Sequence, residues 1–210
     1  MRDLIRERLR ESLPNTLVHP EITPPSDRRH ILAGVQEFRP AAVLVPIIDH
    51  PDEMTVLLTR RPDHMKQHAG QVAFPGGRID PDDIHPAAAA LREAQEEIGL
   101  TADYVELVGQ LDPYHTGTGF QITPVVGIVT PGFTLRACDR EVAEIFEVPL
   151  SFLMNPENHQ RRETEFKGRK AQFYAMPYQD YYIWGATACC SSIVMIASVA
   201  DCTIPCSCEL

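Results

Sequence analysis

The segment that most constrains the fold is an alanine-rich run with three glutamates, PAAAALREAQEEIG, from Pro86 to Gly99. Proline suits the first turn of a helix, because the N–H that it lacks would have no intrahelical partner there. Glycine suits the residue just after a helix, where the backbone often becomes left-handed. The sequence therefore predicts a helix that begins at Pro86, ends at Ile98 and is terminated by Gly99.

The three glutamates of this helix share one face. Glu93, Glu96 and Glu97 stand at positions i, i+3 and i+4, where like charges about 6 Å apart repel by about 3 kcal/mol per pair. Arg92 is the one cation beside them in the sequence. Two interpretations stay open: a solvated acidic face, and a site for Mg²⁺ or Mn²⁺, which bind carboxylate and phosphate oxygens. The apolar residues lie on a separate face, about 130° round, which we expect to pack on a sheet: Ala87, Leu91, Ala94 and Ile98.

Periodic apolar segments on both sides of the helix predict a mixed β-sheet. Residues 41–49 and 54–61 have the pattern of two strands joined by a His-Pro-Asp turn. A long helix among several strands is typical of an α/β or α+β layered domain. The later predicted strands are YVELVGQL, GFQITPVVGIVT, the first part of EVAEIFEVPLSFL, AQFYAM and YYIWG, the last leading into a terminal helix.

The charge balance argues against one class of partner. The formal net charge is -10, whereas a nucleic-acid-binding surface neutralises phosphates with Lys and Arg. A small anionic ligand is compatible, because a bound metal or a few local arginines can hold phosphates. The N-terminal segment MRDLIRERLRESL has no apolar signal region, so we expect a cytoplasmic protein that does not bind membranes.

The chain is predicted to have three regions. Residues 1–35 are expected to form a short amphipathic helix and a Pro-rich linker, residues 36–188 the main domain, and residues 189–210 an atypical Cys-rich tail. The tail cysteines lack paired C-x2-C spacing, which disfavours a zinc site. The uncharged stretch 185–200 is shorter than a membrane span, so a buried terminal helix is the preferred interpretation.

The segment GGRIDPDDIHPAAAALREAQEEIGL resembles the Nudix box, G-x5-E-x7-R-E-U-x-E-E-x-G-U. Asp83 stands in place of the first glutamate, Ala94 replaces a bulkier apolar residue, and eight residues instead of seven separate Asp83 from Arg92. The resemblance implies an α/β/α sandwich with a mixed sheet and a catalytic helix after a Gly-Gly loop. The matching residues are Gly77, Arg92, Glu93, Glu96, Glu97, Gly99 and Leu100.

The preceding segment, LLTRRPDHMKQHAGQVAFPGG, resembles the signature of the bacterial coenzyme A pyrophosphatase subgroup, L-L-T-x-R-(S/A)-x3-R-x3-G-x3-F-P-G-G. Pro62 replaces Ser or Ala, and Lys66 replaces an arginine, which keeps the charge but loses the bidentate fork. The subgroup implies hydrolysis of coenzyme A to 4'-phosphopantetheine and adenosine 3',5'-bisphosphate. The matching residues are Leu57, Leu58, Thr59, Arg61, Gly70, Phe74, Pro75, Gly76 and Gly77.

The resemblance also implies catalytic roles. Glu93, Glu96 and Glu97 would hold Mg²⁺ or Mn²⁺, and Arg92 would orient these carboxylates. A carboxylate must accept the proton of the attacking water, either Glu93 or an acid on a later loop, for which Glu141 is the candidate. The predicted catalytic residues are therefore Glu93, Glu97, Arg92 and Glu141.

The substrate is expected to be a small nucleotide derivative similar to coenzyme A, and the chain can form a homodimer. Two other interpretations remain. The first keeps the chemistry but changes the substrate to ADP-ribose, a dinucleotide or another nucleotide derivative. The second is a catalytically silent Nudix domain that binds a ligand, which the three intact helix glutamates disfavour. The predicted substrate-binding residues are Arg61, Lys66, Gly76, Gly77 and Arg78.

Overall fold

The computed structural model describes residues 37–166 and 169–198, together with Asp3 and Glu7, which are helical. The rest of the predicted N-terminal helix and linker, and the end of the Cys-rich tail, lie outside these residues. Two short 3-10 turns, Ala102–Tyr104 and Pro156–Asn158, connect larger elements. These elements are β1 (Arg39–Asp49), β2 (Met54–Arg60), β3 (Val72–Ala73), β4 (Gly76–Arg78), α1 (Pro86–Ile98), β5 (Val105–Gln110), β6 (Tyr114–His115), β7 (Phe120–Val129), β8 (Glu144–Pro149), α2 (Leu150–Met154), β9 (Gln160–Phe166), β10 (Arg169–Tyr178), β11 (Tyr181–Trp184) and α3 (Gly185–Ser198).

Eight of the described strands form one mixed sheet with the central order β3-β2-β1-β7-β5. Strands β1 and β7 run parallel, whereas β2 and β4 pair antiparallel with β1. Strand β6 pairs with β7, and β8 pairs with β2. The remaining strands form a small antiparallel sheet with the order β11-β10-β9.

Strand β1 is buried on both faces, which explains why it reads as an almost continuous apolar run. Successive side chains of a strand point to opposite faces. Leu44 and Ile48 pack in the cluster beneath α1, whereas Val45 and Ile47 pack in the cluster on the other side, with α2, α3 and β11. The sheet therefore lies between helical layers, which confirms the α/β/α sandwich.

Helix α1 has the predicted bounds, because a capping residue lies at each end. At the N-terminus, the His85 side chain accepts a hydrogen bond from the N–H of Ala88 at 3.0 Å. At the C-terminus, Gly99 is left-handed with a φ of 73°. Ala90 and Ala94 are fully buried against the sheet. Since alanine is small, the helix backbone lies close to the sheet, and its glutamates reach the Gly-Gly loop.

The terminal helix α3 runs continuously from Gly185 to Ser198, across the predicted boundary at residue 188. Cys189 and Cys190 are buried on it. Residues 185–198 of the uncharged stretch are thus helical, as expected, and the first part of this helix is buried. In the part of the chain that the structure describes, no helix is long and apolar enough to cross a membrane.

Candidate active site

Arg92 is the centre of a network of hydrogen bonds at the start of the site. Its guanidinium group donates two hydrogen bonds to Asp83, from Nη2 to Oδ2 at 2.9 Å and from Nε to Oδ1 at 3.3 Å. Nη1 donates to Glu93 at 2.8 Å, and Nη2 also donates to the carbonyl of Arg78 at 3.1 Å. Arg92 therefore fixes the position of the Glu93 carboxylate relative to β4 and the acidic turn.

Asp83 reaches Arg92 in spite of the extra residue between them. The N–H of Asp80 donates to the Asp83 carboxylate at 2.8 Å, and the N–H of Asp83 donates to the carbonyl of Asp80 at 3.0 Å. This closed turn absorbs the extra length. The hydrogen bonds from Arg92 are the main cause that lowers the pKa of Asp83, so its carboxylate is a stable anionic partner for the arginine.

Glu97 is almost fully buried, with 4% of its surface exposed. Its carboxylate accepts a hydrogen bond from the N–H of Gly76 at 3.0 Å. Burial is the main reason that the pKa of Glu97 is raised to about 7, and the charges of Glu141 and Glu93 raise it further. The Gly76 N–H and the charge of Arg61 lower this pKa. A cation placed near this carboxylate would relieve the unfavourable burial of its charge.

The three helix glutamates do not share one environment, which corrects the simple picture of a common acidic face. Burial is also the main cause that raises the pKa of Glu93, whose side chain is 16% exposed. Glu96, in contrast, is 61% exposed and contacts Arg92 only at 3.5 Å. The physical reason is their position around the helix: Glu93 and Glu97, one turn apart, face the Gly-Gly loop, while Glu96 faces solvent.

The two glycines of the loop are required by their neighbours. A Cβ on Gly77 would lie 2.5 Å from the carboxyl carbon of Glu93. Gly76 has a φ of 156°, and a Cβ there would lie 2.4 Å from the carbonyl oxygen of Ala42. Gly77 thus makes room for the Glu93 carboxylate, and Gly76 makes room for strand β1.

The residues of this cluster fit a divalent metal ion. Glu93 and Glu97 supply hard oxygen ligands whose ionised forms are disfavoured by burial, and the Gly77 backbone leaves space beside them. Among the described residues, no three His, Cys, Asp or Glu side chains converge closely enough to complete a metal site by themselves. This arrangement agrees with the usual binding of Mg²⁺ by one or two carboxylates together with substrate phosphates and water.

A cavity of about 370 Å³ lies beside the carboxylates, between the main sheet, the small sheet and the start of α3. Its walls are largely apolar and include Phe74, Phe173 and Trp184, of which the last two meet edge to face. On strand β11, Ile183 is buried in the core, whereas Trp184 lines the cavity. The alternation of Tyr182, Ile183 and Trp184 indicates that one of the two faces is not core.

Arg61 connects the cavity to the carboxylates. Its side chain lines the cavity, and its charge acts on Glu97. Its Nε is buried and has no hydrogen-bond partner in the part of the chain that the structure describes. A buried donor without a partner is rare, so the Nε is available to an anionic ligand that enters from the cavity.

The structure brings together most, but not all, of the other predicted site residues. Glu141 is exposed, yet its charge contributes to raising the pKa of both Glu93 and Glu97 after the larger effect of burial, so it lies beside the cluster. Arg78 is exposed near the cavity mouth. Lys66 is exposed and is not among the residues that line the cavity. Phe173 and Trp184, which belong to no motif, line the cavity and were not among the predicted site residues.

A mixed α/β/α sandwich with a carboxylate-bearing helix behind a Gly-Gly loop defines a hydrolase of phosphate anhydrides. The family model of the NUDIX domain matches residues 38–170. The chain is 44% identical over 150 residues to the uncharacterized Nudix hydrolase NudL of Yersinia pestis (strain Pestoides F), which covers 71% of this chain and 75% of NudL. The chain therefore belongs to the Nudix hydrolase family, whose members cleave pyrophosphate-containing substrates and generally use divalent metal ions.

The same identity and coverage are found for NudL of Yersinia pseudotuberculosis serotype O:1b (strain IP 31758). Among solved structures, a Nudix hydrolase from M. smegmatis, RenU, matches with a TM-score of 0.47 and 26% identity, over 54% of this chain and 71% of RenU. A binary complex of a C. elegans Ap4A hydrolase matches with a TM-score of 0.46 and 18% identity, over 53% of this chain and 80% of that one.

Proposed function

We propose that this Nudix hydrolase cleaves the diphosphate bond of coenzyme A, or of a coenzyme A derivative, by attack of water on phosphorus. The products are 4'-phosphopantetheine and adenosine 3',5'-bisphosphate. The observation that carries the proposal is the position of Arg61, which both lines the cavity and acts electrostatically on Glu97. A substrate can therefore place its diphosphate against the carboxylates while an adjacent group fills the apolar cavity.

The loop that resembles the coenzyme A subgroup signature supports this substrate. Thr59 donates its hydroxyl to the carbonyl of Ala73 at 3.2 Å, and the N–H of Arg61 donates to the carbonyl of Gln71 at 2.9 Å. Gly70 has a φ of 66°, which a residue with a side chain rarely adopts. The signature residues thus shape the segment that carries Arg61 and forms one cavity wall, where substrate specificity would be decided.

Each charged side chain has a separate role in the proposed reaction. The buried Glu93 and Glu97, joined from the exposed side by Glu96, would hold Mg²⁺ or Mn²⁺, and the metal would supply charge neutralisation for the diphosphate. The Nε of Arg61 donates to a phosphate oxygen, since that donor is otherwise unpaired. Arg92 acts through Glu93, whose carboxylate it holds at 2.8 Å. Phosphoryl transfer depends mainly on such positioning and charge neutralisation.

The attacking water must lose its proton to a carboxylate. Glu93 is held next to the Gly-Gly loop, and burial raises its pKa, which brings it closer to the range that suits a general base at neutral pH. Glu141 is more exposed but lies beside the same cluster. The pH–rate profile of Glu141→Gln decides between them, because this variant keeps the glutamates assigned to the metal. Loss of the acidic limb of the profile identifies Glu141 as the base, and a retained limb leaves Glu93.

The test is incubation of the purified chain with coenzyme A, with and without Mg²⁺ or Mn²⁺, and identification of the products by mass spectrometry. We expect 4'-phosphopantetheine only in the presence of metal, and none with Glu97→Gln. Cleavage of ADP-ribose or a dinucleotide, but not of coenzyme A, would contradict the substrate assignment and keep the hydrolase. Cleavage of none of these by the folded protein would instead favour a ligand-binding domain without catalysis.

A further inference from the structure

One carboxylate contacts both of the elements that form opposite walls of the cavity. Glu144, on strand β8, accepts a hydrogen bond from the Tyr181 hydroxyl through Oε1 at 2.6 Å. Its other oxygen, Oε2, accepts a hydrogen bond from Nε of Arg60 on strand β2 at 3.4 Å. Glu144 and Arg60 are direct partners in the sheet, so their side chains lie on the same face. Each oxygen of Glu144 therefore binds a different part of the structure.

The contact with Tyr181 fixes the aromatic wall of the cavity, which is formed by Phe173 and Trp184. The rings of Tyr181 and Phe146 are stacked, with their centres 3.6 Å apart and an angle of 3° between their planes. Phe146 follows Glu144 by two residues on β8, so both side chains point to the same face and both contact Tyr181. Tyr181 begins strand β11, and Trp184 ends it. The contacts at Tyr181 therefore hold the strand that carries Trp184.

The contact with Arg60 fixes the loop that follows Arg61. Nη1 of Arg60 donates to the two carboxylate oxygens of Asp63 at 3.3 and 3.4 Å. Asp63 in turn lies against Gly70, where a Cβ would be 2.7 Å from Oδ1 of Asp63. This loop is closed at its base by the N–H of Arg61, which donates to the carbonyl of Gln71 at 2.9 Å. Arg60 therefore holds the loop beside the residue that lines the cavity with its charge.

We propose that Glu144 is a positioning residue for substrate binding, which sets the separation of the aromatic wall and the loop through Tyr181 and Arg60. This inference rests on the proposed function, in which a group next to the diphosphate fills the cavity. The side chains of Arg60 and Glu144 are 34% and 44% exposed, and ion pairs of this kind contribute little to stability. Loss of the network should therefore change the shape of the cavity more than the stability of the fold.

The test uses Trp184, the one tryptophan of the chain, whose fluorescence reports directly on the cavity wall. Tyr181→Phe removes the hydroxyl group and keeps the ring that stacks on Phe146. In this variant we expect acrylamide to quench Trp184 more strongly than in the wild type. The KM for coenzyme A should rise about two- to tenfold with little change in kcat, because one hydrogen bond is lost and the carboxylates are untouched. Tyr182→Phe is the matched control, since Tyr182 is 45% exposed on the same strand, and it should change neither quantity.

A double-mutant cycle tests the connection through Glu144. Arg60→Gln should also raise KM, and the combined variant Arg60→Gln/Tyr181→Phe should show less than the product of the two effects, because both side chains act through one carboxylate. In a Glu144→Ala background, Tyr181→Phe should have no further effect on KM or on the quenching of Trp184.

Unchanged quenching of Trp184 in the folded Tyr181→Phe protein would overturn the inference, whatever the kinetics. Effects of Arg60→Gln and Tyr181→Phe that multiply in full would overturn it as well, since the two walls would then be independent. If the wild type does not cleave coenzyme A, the proposed function fails, while the quenching of Trp184 still tests the inference. A Tyr181→Phe effect on quenching that persists without the Glu144 carboxylate would then refute the positioning role.

Discussion

Replacing Glu97 with glutamine separates the electrostatic role of this residue from its packing. The pKa of Glu97 is raised to about 7 from an ordinary value of 4.5, mainly by burial. The folded protein therefore holds the proton more tightly than the unfolded chain. This group contributes stability while it is protonated, and the contribution is lost as the pH rises from about 4.5 to about 7.

The size of the effect follows from the difference in pKa. At about 1.4 kcal/mol per pKa unit, the difference corresponds to about 3 kcal/mol of unfolding free energy at pH 8 in the absence of metal. Glutamine has the same shape, is neutral at every pH and can still accept the hydrogen bond from Gly76. We therefore expect metal-free Glu97→Gln to be about 2 to 3 kcal/mol more stable than the wild type at pH 8.

Urea denaturation in EDTA at pH 8 and at pH 5 measures this difference. At pH 5 the gain should shrink to less than about 1 kcal/mol, because Glu97 of the folded wild type is then protonated. Glu96→Gln is the matched control, since it changes the same functional group at an exposed position of the same helix. A Glu97→Gln protein that is no more stable at pH 8, or equally stabilised at both pH values, would refute the reasoning.

Metal ions should reverse this order of stability. A ligand that binds only the folded state raises its stability according to its concentration and dissociation constant. Added Mg²⁺ or Mn²⁺ should therefore stabilise the wild type at pH 8 and stabilise Glu97→Gln much less. Glu97→Gln should also lose hydrolysis. The two results together would show that Glu97 lowers the stability of the metal-free protein and is needed for metal binding.

Three further substitutions test separate parts of the structure. Gly77→Ala places a Cβ 2.5 Å from the carboxyl carbon of Glu93 and should therefore lower kcat/KM by about tenfold or more. Normal activity would contradict the tight contact. Arg92→Lys loses the fork that binds Asp83 and should weaken Mn²⁺ binding about 10- to 100-fold by calorimetric titration, and unchanged affinity would refute its positioning role. Leu44→Ala, fully buried between α1 and the sheet, should reduce the unfolding free energy by about 2 to 5 kcal/mol in urea, and a loss below 1 kcal/mol would show that the site collapses without a cavity.

The sequence predicted the elements that carry their own signals. Helix α1 was predicted to the residue because Pro86 and Gly99 mark its ends and alanine favours the helix between them. Most of the longer strands were predicted from their apolar runs, but β9 was not, because its sequence QRRETEF is mostly polar and charged. Strands β3, β4 and β6 were missed because two or three residues have no measurable period, and they form only where a longer neighbouring strand offers its hydrogen bonds.

The chemistry of the site was predicted more fully than its electrostatics. A helical wheel gives the angles between Glu93, Glu96 and Glu97, but it does not show where the sheet lies. The sequence did contain a signal for the burial of Glu97. Ala90 and Ala94 precede Glu97 by seven and three residues, which places all three on one side of the helix, and both alanines are fully buried. Burial of Glu97 follows from that position.

The three-residue strand β4 determines how opposite charges are kept apart at the site. In β4, the Cα of Gly77 faces the carboxylate of Glu93, and the next residue, Arg78, lies over the ring of Phe120. Successive residues of a strand point to opposite faces, so one step along the chain changes the local charge from negative to positive. The carbonyl of Arg78 also accepts a hydrogen bond from Arg92, which fixes β4 to helix α1. The separation between the Glu93 carboxylate and the Arg78 side chain is therefore set by the backbone of β4.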